Sequence, residues 1–106
     1  MPSVVISQDA ERDLQDIFDF IASHDSVAHA EKFLCELERV VLSLDRHAAR
    51  GVVVPELAAL GMQHYRQLNA KPYRLIYQLR DAQVFVVLIA HARRDMQSLL
   101  QQRLLR

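Results

Sequence analysis

Tyr73-Arg74-Leu75-Ile76-Tyr77-Gln78-Leu79-Arg80, then Asp81-Ala82, then Gln83-Val84-Phe85-Val86-Val87-Leu88-Ile89-Ala90-His91, carries the pattern around which this chain is organised. Two runs rich in β-branched and aromatic residues flank a short polar break, as in a β-hairpin. The first run alternates, with Tyr73, Leu75, Tyr77 and Leu79 on one face, and these read as core. The second is apolar throughout from Val84 to Ala90, as in a central strand covered on at least one face. Upstream, Gln63 to Leu68 is a third strand candidate, joined to the hairpin through Asn69-Ala70-Lys71-Pro72.

If Asp81-Ala82 is a two-residue turn, Arg74 lies opposite Ile89 and on the same face as His91, one diagonal step away. An arginine and a histidine then stand side by side at one end of the sheet. An even loop at Asn69-Ala70-Lys71-Pro72 puts Gln67 opposite Arg74 and sends Arg66 to the other face, whereas an odd loop or a bulge brings Arg66 alongside Arg74. The parity stays open, because a one-residue slip reverses every side chain of a strand.

Toward the N-terminus, Val4 to Ser7 is a short β-branched run. Ser7 can cap a helix whose first turn holds Asp9 and Glu11. Ala10, Leu14, Ile17, Phe18 and Ile21 form the apolar stripe of that helix to about Ser23, with Glu11, Arg12, Asp13, Asp16 and Asp19 on its polar face. Asp25 or Ser26 can cap a second helix carrying Ala30, Phe33, Leu34, Leu37, Val40, Val41 and Leu44, so the two form a helical hairpin. Cys35 lies between Leu34 and Leu37 and reads as packing. The second helix is expected to stop near Ala49, before Gly51 and the β-branched Val52-Val53-Val54-Pro55, with a loop from there to about Gly61. After the strands, Asp95 to Leu105 reads as a last helix with Met96, Leu99, Leu100 and Leu104 in line. No repeat or flexible linker interrupts the chain.

The predicted order is β-α-α-β-β-β-α: an α+β domain over residues 1–106 with an antiparallel sheet and the helical hairpin packed on one face. A chain of 106 residues with 51% hydrophobic content fits one domain. One cysteine excludes an internal disulfide, and no His/Cys cluster offers a metal site, so neither metal nor cofactor is expected. The N-terminus lacks the features of a signal peptide, and no window reaches the roughly 18 apolar residues of a membrane span. A cytoplasmic location with no membrane partner is the expectation.

The net charge of zero hides a division. Residues 1–62 hold five basic against eleven acidic side chains, a balance of −6, and residues 63–106 hold eight against two, a balance of +6. Such asymmetry points to an acidic or phosphate-bearing partner for the C-terminal half, unless the halves neutralise each other within the fold.

In this order, Ser7-Gln8-Asp9-Ala10-Glu11-Arg12-Asp13-Leu14, Pro55-Glu56-Leu57, Tyr65-Arg66, Tyr73-Arg74-Leu75-Ile76-Tyr77 and His91-Ala92-Arg93-Arg94-Asp95 resemble the RelE/ParE superfamily of bacterial toxin-antitoxin toxins over nearly the whole chain. The resemblance implies a plasmid-stabilisation toxin that arrests growth and is neutralised by a cognate antitoxin. It also implies one of two mechanisms. ParE-like members inhibit DNA gyrase, and His91, Arg93, Asp95, Leu99 and Arg103 carry the closer local match to them. RelE- and YoeB-like members cleave mRNA on the ribosome without a metal, which would make Glu56 the base, Arg74 the phosphate ligand and His91 the acid. Against the nuclease, Ala92 stands where YoeB-like toxins carry a tyrosine, and the loop before Gln63 has no lysine like those of RelE-like toxins.

Gyrase inhibition is therefore the favoured expectation, with mRNA cleavage as the alternative and an inactive binding module as a third. The expected target surface is Arg66, Arg74, His91, Arg93 and Arg94. The stripe of Met96, Leu99 and Leu100 needs cover, which an antitoxin would supply unless the helix folds back on its own sheet. A homodimer through the first two helices is a further possibility.

Overall fold

Ser7 ends the first strand and begins the first helix, and so limits how far the sheet is paired along one edge. Its backbone N–H donates to the Val86 carbonyl (3.0 Å), while its hydroxyl accepts from Ala10 N–H (3.0 Å). The computed structural model describes residues 3–104. Strand β1 (Ser3–Ile6) leads directly into α1 (Gln8–His24), and Ser26 caps α2 (Val27–Arg46) by accepting from His29 N–H.

The second helix stops at Arg46, short of the expected Ala49, because the following turn is held by the sheet. Tyr77 donates its hydroxyl to the Ala48 carbonyl (2.7 Å) and accepts from Gly51 N–H (3.0 Å). Gly51 is needed for this approach: a Cβ there would lie 2.6 Å from the Tyr77 hydroxyl and 2.7 Å from the Gln67 carbonyl. The segment expected to be loop forms two short elements, β2 (Val52–Val53) and α3 (Pro55–Ala58), with proline at the first helical position where its missing N–H costs nothing. Strands β3 (Tyr65–Ala70), β4 (Tyr73–Arg80) and β5 (Gln83–His91) follow, then α4 (Met96–Leu104). Asp95 caps α4, accepting from the Ser98 amide and hydroxyl. Leu105, the expected end of that helix, lies outside the described residues.

The sheet order is β1-β5-β4-β3-β2. The α+β class and the helical hairpin hold, but the sheet is mixed rather than antiparallel throughout: β1 runs parallel to β5, and the other pairs are antiparallel. Alternation in Val4 to Ile6 identifies a buried face, but not the direction of a partner some eighty residues away in the chain. Both faces are covered. The hairpin packs Ala10, Leu37, Val41 and Leu44 against Leu75, Tyr77, Val84, Val86 and Ile89. On the other face, α3 and α4 pack Leu57, Met96 and Leu100 against Tyr65, Ile76, Leu88 and Ala90.

One irregularity divides β5 between these cores. The hairpin begins as expected, with Arg80 opposite Gln83 and Asp81 in the left-handed region (φ 54°) of a two-residue turn. Between Ile76 and Tyr77 the register shifts: Tyr77 faces Val86, Ile76 faces Leu88, and Val87 is the extra residue of a β-bulge. Val84 and Val86 therefore face the helical hairpin, whereas Leu88 and Ala90 face α4.

Beyond Val86 the outer edge of β5 has lost its β1 partner, and two side chains take over. Asp13 of α1 accepts from Ile89 N–H (3.0 Å), and Arg103 of α4 donates to the Val87 carbonyl (2.7 Å). The same two side chains form a bidentate pair with both N–O distances at 2.9 Å. This clasp joins α1, β5 and α4 and leaves neither charge without a partner. Replacing Asp13 with Ala is expected to lower unfolding free energy by about 3 kcal/mol, because it leaves a half-buried guanidinium with only the longer ion-pair contact to Asp9 (3.9 Å) and unpairs an edge amide. The exposed Asp16→Ala should stay within about 0.5 kcal/mol in the same urea titration.

Candidate functional site

Arg74, the second residue of β4, points to the α3/α4 face. There its guanidinium meets Glu56 from α3 and Gln67 from β3. Nη1 and Nη2 each donate to a carboxylate oxygen of Glu56 at 3.0 Å, and Nε donates to Gln67 Oε1 at 2.9 Å, with Nη2 also against that oxygen. The Arg74 side chain is 12% exposed and that of Glu56 29%. The Arg74 hydrogen bond holds the Glu56 carboxyl below the ordinary glutamate value of 4.5, outweighing the opposing effect of burial. Glu56 is thus a fixed counter-ion, the opposite of a carboxylate tuned upward to accept a proton.

His91 lies elsewhere. The bulge at Val87 places Arg74 opposite Ala90 instead of Ile89, and His91 pairs with Tyr73 on the helical-hairpin face. The expected Arg74–His91 neighbourhood is therefore corrected: the two side chains stand on opposite faces of the sheet. The His91 ring meets the edge of Tyr73 at 5.5 Å, and its Nδ1 accepts from Arg93 N–H (3.1 Å), which leaves Nε2 to carry the proton. It borders a groove of about 360 Å³ with Asp16, Ile17, Phe20, Tyr73 and Arg94. Glu56 and Arg74 come together as the sequence reading required, but His91 stands on the other face of the sheet.

The loop parity is also fixed. Lys71-Pro72 alone forms the β3–β4 turn, Asn69 faces Arg74, and Gln67 sits diagonally within reach of the guanidinium. An even turn sends Arg66 to the helical-hairpin face, where its Nη1 donates to the Gly51 carbonyl (2.9 Å). Arg66 and Arg74 therefore belong to different surfaces, and the target surface expected from the sequence does not exist as one patch.

Arg93 and Arg94 do stand exposed, in the turn after β5. That turn is tied to the β3–β4 turn by Ala92 N–H donating to the Pro72 carbonyl (2.9 Å), which brings Lys71 to the same end of the sheet. Among the described residues none of Lys71, Arg93 and Arg94 has a carboxylate within ion-pair distance. The sequence reading missed Lys71 as a member of this cationic rim, although the shortness of the turn was its signal.

The stripe on α4 expected to meet an antitoxin packs on the molecule's own sheet. Met96 and Leu100 are 3% and 1% exposed against the molecule's own sheet, and Leu99 is half-buried beside them, so α4 covers its own stripe. Cys35 is exposed on α2 instead of packed. Among the described residues no three His, Cys, Asp or Glu side chains gather to hold a metal, and no helix is long and apolar enough to cross a membrane.

The Glu56–Arg74 pair has a pH signature of defined sign. A carboxyl whose folded-state pKa is depressed adds stability above its unfolded value and loses it as pH falls through the folded one. Glu56→Gln should cost about 2 kcal/mol at neutral pH, and the gap between variant and wild type should shrink below pH 4.5 in denaturation curves taken across the acid range.

The family model of the ParE toxin of type II toxin-antitoxin (parDE) systems matches residues 4–96. A solved structure described as the chromosomal ParDE toxin-antitoxin system from P. aeruginosa superposes with a TM-score of 0.69 at 20% identity, covering 86% of this chain and 96% of that one, a likeness of fold. No curated protein matches this chain. The strand-and-hairpin order predicted from the sequence, its sheet, and a family match running from the first strand into α4 converge: the chain belongs to the ParE toxins of type II toxin-antitoxin systems.

Proposed function

We propose that this toxin acts by binding and inhibiting DNA gyrase, without cutting a phosphodiester itself. The observation that carries this reading is the separation of the nuclease candidates. Arg74 spends its donors on Glu56 and Gln67, and His91 stands on the other face of the sheet. Metal-free cleavage of RNA needs a base, a cation and an acid around one phosphate, and here the base is neutralised by the cation. A binding poison needs only a surface that complements its target. The rim of Lys71, Arg93 and Arg94 is such a surface, held by backbone hydrogen bonds and free of internal carboxylate partners among the described residues.

As the toxin of a two-component system, the protein is neutralised by a cognate antitoxin, and the cytoplasm is the compartment where both the antitoxin and gyrase are met. The Met96 and Leu100 stripe is buried on the molecule's own sheet, so antitoxin contact there would require α4 to move. A homodimer through the helical hairpin is compatible with the exposed Phe20, Val27 and Leu42.

In a supercoiling assay with purified gyrase, the wild-type toxin is expected to inhibit, and Lys71→Glu combined with Arg93→Glu and Arg94→Glu should weaken it at least about tenfold. Glu56→Gln, at a temperature where it stays folded, should inhibit within a few-fold of wild type. Cuts in ribosome-bound mRNA that vanish in His91→Ala and Glu56→Gln, with gyrase unaffected, would overturn the proposal.

A further inference from the structure

At the corner where α2 ends and the short β2 meets β3, two arginines are anchored on either side of Gly51. Arg66 reaches from β3 and donates Nη1 to the Gly51 carbonyl (2.9 Å); Arg50 precedes Gly51 and donates Nη1 to the Ser43 hydroxyl (2.8 Å). Neither has a carboxylate within ion-pair distance among the described residues. Each thus uses one guanidinium nitrogen to fix its position, and Nε and Nη2 of both find no acceptor among the described residues. The backbone at Gly51 is pinned: the residue is buried, bonded to the Tyr77 hydroxyl, and too tightly enclosed for a Cβ. Both charges are also felt at the Tyr77 phenol, where they oppose the upward push of burial on its pKa.

Arg66 is half-buried, and a half-buried guanidinium with no counter-ion is costly. Arg74 and Arg103 illustrate the contrast, the first matched by Glu56 and the second by Asp13. The negative end of α2 favours the exposed Arg50, but the effect fades within the last helical turn and Arg66 comes from the sheet. A carboxylate has two acceptor oxygens, whereas a phosphate offers more oxygens around one centre and carries charge enough to face two guanidinium groups.

We propose that Arg50 and Arg66 form a phosphate-binding site, filled either by the backbone of a nucleic acid or by a free phosphate group. It lies roughly 15 Å along β3 from Lys71, so it is distinct from the cationic rim. It also stands independently of the gyrase reading, since either can fail alone.

The test uses the full chain, with binding of a labelled duplex DNA followed by fluorescence anisotropy over a range of salt concentrations, beside thermal unfolding with added inorganic phosphate. Arg50→Gln/Arg66→Gln is expected to weaken duplex binding about tenfold and to reduce the slope of log K against log salt by about 0.9 for each DNA phosphate that the variant no longer neutralises. Arg66→Lys, which keeps the charge but not the fork, should fall between. If the source is free phosphate, inorganic phosphate raises the unfolding temperature of the wild type and not of the double variant, while duplex binding is equal in both. Equal duplex binding and equal response to phosphate in wild type and folded double variant overturn the site, as does binding of poly-glutamate as tight as the duplex at matched ionic strength.

Discussion

The clasp between Asp13 and Arg103 holds the one irregular point around which the sheet is arranged. Strand β5 is central, pairing with β4 along its length but with β1 only as far as Val86, because Ser7 diverts the chain into α1. Past that point an amide and a carbonyl of β5 have no strand partner between α1 and α4. Asp13 takes the amide of Ile89 and Arg103 the carbonyl of Val87, while each neutralises the other. The bulge at Val87 is thereby tolerated, and its consequence spreads in both directions. Residues before it feed the helical-hairpin core and Leu88 and Ala90 feed the second core, so one strand serves two faces, and among the described residues no polar side chain is buried between them.

That same shift decides what the molecule can do chemically. With an uninterrupted hairpin, Arg74 and His91 would share a face; with one extra residue they are on opposite faces, each with its own neighbours. Arg74 then becomes a structural anchor. Helix α3 has four residues, too few to persist by itself, and it is held down by Leu57 in the second core and by Glu56 on the guanidinium. A bidentate, half-buried ion pair that depresses the carboxyl pKa favours holding a loop over moving a proton.

The charge division resolves into two kinds of contact. Part of it is internal: Arg103 and Arg74 from the basic half meet Asp13 and Glu56 from the acidic half across the core boundaries. The remainder is outward. Lys71, Arg93 and Arg94 gather because two turns are tied by a single backbone hydrogen bond, and Arg50 joins Arg66 because Tyr77 pins the end of α2 to the sheet. Exposed cations without acids cost little where water solvates them and half-buried Arg66 costs more, so neither group adds to stability and both are better matched to recognition.

Apart from the short β2 and α3, which were read as loop, the elements and their order were legible from local chemistry alone. The Ser7 and Ser26 caps, the apolar stripes of both long helices, the alternation of Tyr73, Leu75 and Tyr77, and the Asp81-Ala82 turn are signals read within a few residues of one another. The Glu56–Arg74 partnership was also within reach, though only through family likeness, since the residues are far apart in the chain. The remaining features needed the folded chain. Val84 to Ala90 is apolar at every position, so it has no alternation to set its phase, and nothing in it announces an extra residue. Asp13 reads as one more acid on a polar helix face, because its partners lie at Ile89 and Arg103 in distant elements. Burial of α4 depended on whether a second face of the sheet was free to receive it. Local chemistry sets which elements form; register, parity and the pairing of charges are settled only when distant segments compete for the same space.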